Sequence, residues 1–327
     1  MKNLLALLLV ICIFGFFFSS CQNPNDPVTN NTTGDKLLKK TIWNVPGDFA
    51  TIQDAIDDAA VLDGHTILVE PGNHYGAYVS KSVEIKGTGN AVINDGPLHP
   101  AGITMGFRLI AGSDGATISH LTFTPDLSIM NGAAVNDVTV TQCTFLNSIQ
   151  AISNWRGNGW NINYNTITDL RTRNGGGIGI LVGDYLGGTV NDNEISHNTI
   201  LGTLHVYSGD GGGYAGSGIV IYADFRWGGA GAEAITNNFV THNSISMDSD
   251  NPAVVDINAF ELTEGYYPDE HPGAPYVIKD NYIGFNDFSG TTNQILLSPL
   301  ALEDYNNISR NLGNNRGQRL HPGLFKP

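Results

Sequence analysis

Asn193-Glu194-Ile195-Ser196-His197-Asn198-Thr199-Ile200 recurs 45 residues on as Asn238-Phe239-Val240-Thr241-His242-Asn243-Ser244-Ile245. It recurs 88 residues on as Asn281-Tyr282-Ile283-Gly284-Phe285-Asn286-Asp287-Phe288. Upstream, Leu121-Thr122-Phe123, Cys143-Thr144-Phe145 and Asn165-Thr166-Ile167 align at two successive steps of 22, and Asn306-Asn307-Ile308-Ser309-Arg310-Asn311 makes a last copy. Short strand-like runs at fixed places in a twenty-odd-residue period are what a parallel β-solenoid requires, because each coil presents its strands at the height of its neighbours'. Asn165, Asn198, Asn243 and Asn286 then occupy one turn position and are expected to form a hydrogen-bonded ladder. His197 and His242 share the position before it and are expected to stack.

Composition agrees with an all-β reading. Charged residues are 14% of the 327, against roughly 25% in ordinary soluble domains, and glycine takes 40 positions. Fourteen Phe, twelve Tyr and four Trp within a 41% hydrophobic chain are enough to bury a core. The formal charge of −15 lacks the basic footprint of a nucleic-acid-binding protein, so nucleic acid is set aside as a partner.

The chain opens with Lys2 and an apolar run from Leu4 to Phe18, shorter than a membrane-spanning helix and of signal-peptide type. Phe18-Ser19-Ser20-Cys21 follows directly and resembles the lipobox of bacterial lipoproteins, which implies acylation of Cys21. Residues 1–20 are therefore expected to be a signal peptide and 21–40, rich in Asn, Pro and Thr, a flexible tether. A β-helix domain over 41–327 completes the organisation. The only membrane contact expected is the N-terminal lipid, in a bacterial cell envelope, at the outer membrane or cell surface. With Cys12 in the signal and Cys21 acylated, Cys143 is the one remaining thiol, so packing alone must hold the domain together.

Thr51 with Asp54 makes a capping box, and Ile52, Ala55, Ile56 and Ala59 recur at helical spacing, which predicts one short helix over Ile52–Ala60. This opening, Val69-Glu70-Pro71-Gly72-Asn73-His74-Tyr75 and the Asn-x-Ile-x-x-Asn-x-Ile units together resemble the pectin-lyase-like superfamily over about residues 41–315. The resemblance implies a right-handed, single-stranded parallel β-helix whose N-terminal helix caps the open end. The superfamily holds polysaccharide lyases, glycoside hydrolases, esterases, epimerases and inert surface proteins, so the fold leaves the chemistry open. The strand and loop motifs of pectin methylesterases and the calcium signature of pectate lyases are not found in this sequence.

A second apolar register pairs Ile178 and Ile180 with Ile219 and Ile221, Val255 and Ile257, and Ile295 and Leu297. Residues 168–177, 201–218 and 246–254 read as loops stacking into one wall beside it, and residues 223–234 and 259–276 as the opposing wall. Between them lies a groove suited to an extended polysaccharide or oligosaccharide. Strand alternation puts Asp256, Asn258 and Tyr222 on its floor. The walls offer Arg171, Arg173, His205 and Tyr207 on one side, and Asp224, Arg226, Trp227 and Glu261 on the other. Asp256, Asp224, Arg226, His205 and Arg171 are the candidate catalytic residues, because paired carboxylates serve glycoside hydrolysis and Arg or His beside Tyr serves proton abstraction from a uronic acid. Tyr222, Asn258, Trp227, Tyr207, Arg173 and Glu261 are the candidate sugar contacts. Calcium is a candidate cofactor, with Asp248-Ser249-Asp250 a possible ligand set that reads equally as an exposed turn. Two functional classes remain: a surface-anchored lyase or hydrolase, and a non-catalytic glycan-binding or structural lipoprotein.

Overall fold

The computed structural model of the protein describes residues 41–173, 175–184, 188–210, 214–223, 234–263, 277–298, 306–313 and 321–322. The signal, the tether and Cys21 lie outside the described residues, as do Asp224, Arg226 and Trp227.

The repeats stack as coils of a right-handed parallel β-helix, the hand that parallel strand crossovers adopt. Among the described residues, parallel sheets of ten, seven and nine strands run along the solenoid, here sheets 1, 2 and 3, with a three-stranded sheet 4. One coil passes through Glu194–Ser196 in sheet 1, Thr199–His205 in sheet 2 and Tyr214–Ala223 in sheet 3. Ala234–Thr236 in sheet 4 then leads into the next coil. Ile162, Ile195, Val240 and Ile283 pair coil to coil in sheet 1, and Phe123, Phe145, Ile167, Ile200 and Ile245 in sheet 2. All are buried. Identical heights allow rings to stack: Phe123 and Phe145 lie 5.0 Å apart and nearly parallel.

Both turns flanking sheet 1 are built from the same device. Asn193, Asn238, Asn281 and Asn306 form one ladder, and Asn165, Asn198, Asn243, Asn286 and Asn311 the other. In each, the carboxamide oxygen of one coil accepts from the backbone N–H and side-chain amide of the coil before it, as Asn243 does from Asn198 at 3.0 and 2.9 Å. Among the described residues, the residue just before each ladder asparagine turns the chain through a left-handed conformation, as His197 (φ 56°) and His242 (φ 58°) do.

The helix spans Ile52–Asp57, three residues shorter than expected, because Asp58 is already extended. Its capping box is present, and Ile52, Ala55 and Ile56 are buried against the first coils.

Sheet 3 departs from the register read in the sequence. Ile180 pairs with Ile219, Ile219 with Phe260 and Phe260 with Ile295, while Val182, Ile221, Leu262 and Leu297 form the next column. Val255 and Ile257 sit instead beside Tyr214 and Gly216, in an extension of the sheet. Residues 214–218 and 259–263, expected in loops, are therefore strand. The physical reason is that all nine residues of Val255–Thr263 are buried, so no polar face marks the phase of the strand. A second buried cluster, of Met105, Leu127, Met130, Trp155, Ile178, Leu181, Val220 and Tyr222, lies along sheet 3 apart from the main core.

Candidate functional site

The corrected register separates the expected groove floor. Asp256 pairs with Ala215 and Tyr222 with Thr263, seven positions along the strand, or roughly 23 Å at about 3.3 Å per residue. Val255 and Ile257 join the core, so alternation puts Asp256 on the opposite face, where its carboxylate accepts from Asn293 Nδ2 at 2.5 Å. Asn258 and Tyr222 are fully buried, with the Tyr222 ring edge-on to Trp155 at 5.9 Å. Glu261 is 1% exposed and accepts from Ser217 Oγ and Thr263 Oγ1, both at 3.0 Å. Tyr222, Asn258 and Glu261 thus build sheet 3 instead of lining an open floor. Asp224, Arg226 and Trp227, the rest of the expected second wall, lie outside the described residues.

The first wall comes together. Arg171 ends its strand in sheet 2 and pairs in register with His205, so the segments that follow leave the sheet one above the other. Arg171, Thr172, Arg173, His205, Val206 and Tyr207 line an open cleft of about 410 Å³. Arg171 is fixed from behind: its guanidinium pairs with Asp126, and its Nε donates to the Asn147 carbonyl at 2.8 Å. Thr172 Oγ1 donates to the Asp210 carboxylate and accepts from the Tyr207 backbone N–H at 2.9 Å, tying the two segments together. Arg173, His205 and Tyr207 are exposed, Tyr207 by 54%.

His205 Nδ1 lies 3.1 Å from Asp250 Oδ2, while Asp250 Oδ1 accepts from the Val206 backbone N–H at 2.9 Å. The Val206 N–H, with the imidazole beside it, holds the Asp250 carboxyl below the ordinary aspartate range. The carboxylate therefore stays ionised and accepts a hydrogen bond from Nδ1 of a ring that lines the cleft.

Asp126 and Asp250 are the site residues that the sequence did not single out for these roles. Asp250 lies 45 residues and one coil from His205, and Asp126 45 residues and two coils from Arg171, so each pair joins different repeats and no local motif marks it. Asp248 and Asp250, read as a calcium option or a turn, accept backbone N–H groups of Thr292 and Val206. Among the described residues no three His, Cys, Asp or Glu side chains are grouped to hold a metal. Cys143 is buried, and burial pushes its thiol up to about 12, which removes it as a nucleophile.

No protein-family model matches the chain. A cell surface glycoprotein of Methanothermus fervidus is 35% identical over 88 residues, a stretch covering 24% of this chain and 15% of that protein. Among solved structures, the catalytic domain of a GH87 alpha-1,3-glucanase in complex with tetrasaccharides is 13% identical, with a TM-score of 0.34 over 83% of this chain and 66% of that one. The tailspike protein gp49 of Acinetobacter baumannii bacteriophage Fri1, a capsular polysaccharide depolymerase, is 11% identical, with a TM-score of 0.30 over 79% of this chain and 58% of that one.

Proposed function

We propose that the protein is an envelope-anchored polysaccharide lyase that cleaves an acidic, uronate-bearing chain in the cleft at the exit of sheet 2. The observation that carries this reading is the convergence of Arg171, Arg173, His205 and Tyr207 around one opening, with His205 oriented by Asp250. In a chain of net charge −15, the exposed Arg173 guanidinium, beside an Arg171 already held by Asp126, is a local site for a carboxylate. Arg173 binds the uronate carboxylate and draws charge from C5. His205 Nε2 takes the C5 proton, the C4–C5 double bond forms as the C4–O bond breaks, and the Tyr207 hydroxyl returns a proton to the departing oxygen.

Elimination fits the carboxylates better than hydrolysis does. A hydrolase needs one carboxyl as acid and another as base or nucleophile. Here Asp126 is occupied by Arg171 and by the Thr104 backbone N–H and hydroxyl at 3.0 and 3.1 Å, Asp210 by Thr172, and Asp250 by His205 and Val206. Anchoring rests on Phe18-Ser19-Ser20-Cys21, and the stretch shared with a cell surface glycoprotein supports a surface location.

The test is incubation of the purified protein with polygalacturonate and alginate, read by the ultraviolet absorbance of unsaturated uronate ends. Arg173→Ala and His205→Ala should each lower kcat/KM by about 100-fold or more. New reducing ends without the unsaturated chromophore would make the protein a hydrolase. Tight binding without any product would leave the non-catalytic, glycan-binding reading.

A further inference from the structure

The turn between sheets 1 and 2 carries a second feature, away from the cleft. The residues just before the ladder asparagines, and their equivalents in earlier coils, are His120, Gln142, Tyr164, His197, His242, Phe285 and Arg310. All seven are exposed, and all are left-handed, with φ between 54° and 60°. That conformation is tolerated best by Gly, Asn and Asp and resisted by bulky side chains. The other turn of sheet 1 follows the rule, with Asp192, Asn237 and Asp280 in the matching place. Backbone geometry therefore does not explain Gln, Tyr, Phe and Arg in the first column; an observed departure of this kind points to the side chains themselves.

From Tyr164 to Arg310 those side chains form one continuous stack. Tyr164 lies 4.8 Å from His197, His197 4.9 Å from His242 and His242 5.2 Å from Phe285, each pair within 22° of parallel. The Arg310 guanidinium sits 5.1 Å above the Phe285 ring. Because the faces cover one another, the ring edges meet solvent. The column thus offers the His120, His197 and His242 imidazoles, the Gln142 amide, the Tyr164 hydroxyl and the Arg310 guanidinium, a polar group on every coil but that of Phe285. It contains no carboxylate, on a chain with 31 of them. Six steps from His120 to Arg310 give a track roughly 29 Å long at about 4.8 Å per coil.

The geometry points to a second glycan site: a donor track that holds an extended anionic polysaccharide along the solenoid axis, as a retention surface separate from the cleft. Regular donors without an acid match a linear polymer bearing repeated carboxylates, whereas stacking on sugar faces is closed off by the rings' own packing. The class of polymer rests on the uronate reading of the cleft; the existence of the track does not.

Binding to immobilised polygalacturonate tests it, comparing the intact protein with a His197→Asn/His242→Asn/Arg310→Gln variant and with Arg173→Ala. Asparagine accepts the left-handed turn, so the triple variant should melt close to the parent while losing about tenfold or more in affinity. Its turnover of oligomers too short to leave the cleft should be unchanged. Undiminished polymer affinity in the triple variant, or equal binding of uncharged dextran by the intact protein, would overturn the track. If only Arg173→Ala weakens binding, the cleft stands and the track falls; if the triple variant loses binding and no product forms with any uronate, the track stands and the lyase reading falls.

Discussion

The side chain of Asn243 joins three successive coils. Its oxygen accepts from Asn198, and its amide donates to Asn286 Oδ1 at 2.9 Å and to the Ile195 carbonyl at 2.8 Å, with 1% of the residue exposed. Alanine there leaves buried donors and acceptors on three neighbours without partners, which costs about 1 to 3 kcal/mol. Asn243→Ala should lower the melting temperature by about 2 to 4 °C for each kcal/mol lost, and a melt unchanged within error would contradict the ladder. This position was legible in the sequence because a buried amide that bonds its own copies must recur with the repeat. Arg171, Arg173, His205 and Tyr207 were legible for a related reason, since residues that leave equivalent strands leave at one height. Their carboxylate partners were not, because an ion pair between coils places its two members in different repeats.

Sheet 3 shows where reading by element fails. Its strands are buried on both faces, and Val255-Asp256-Ile257 offers the same apolar alternation as Phe260-Glu261-Leu262, so the sequence contains two phases of equal merit. What selects between them is steric. A Cβ on Gly218 would lie 2.7 Å from the Ala259 carbonyl oxygen and 2.8 Å from Ile245 Cγ2, so the strand from Tyr214 to Ala223 seats against its neighbours only with glycine at that point. Glycines that looked like loop residues are the close-packed positions of a long strand. Gly218→Ala should destabilise the fold by about 1 to 3 kcal/mol, as overpacking does. Denaturant titration checks it: an unchanged midpoint would mean that sheet 3 does not hold this register.

At the scale of the molecule, a parallel β-helix turns a linear repeat into columns of like residues along its sheets and turns. The sheets supply rigidity, the asparagine turns fix the height of each coil, and the segments leaving sheet 2 bring cationic side chains around one opening. The fold was legible because its period is written in the sequence. The groove over sheet 3 was not, because Tyr222 and Asn258 of its expected floor and Glu261 of its expected wall are buried in the sheet and two register phases competed. The proposed substrate position, at the corner where sheet 2 ends, is checked by a crystal structure of the protein with a bound uronate oligosaccharide. The prediction is a uronate carboxylate on Arg173, with C5 facing His205 Nε2 and the leaving oxygen within reach of the Tyr207 hydroxyl. An oligosaccharide seated over sheet 3, away from Arg173 and His205, would contradict it.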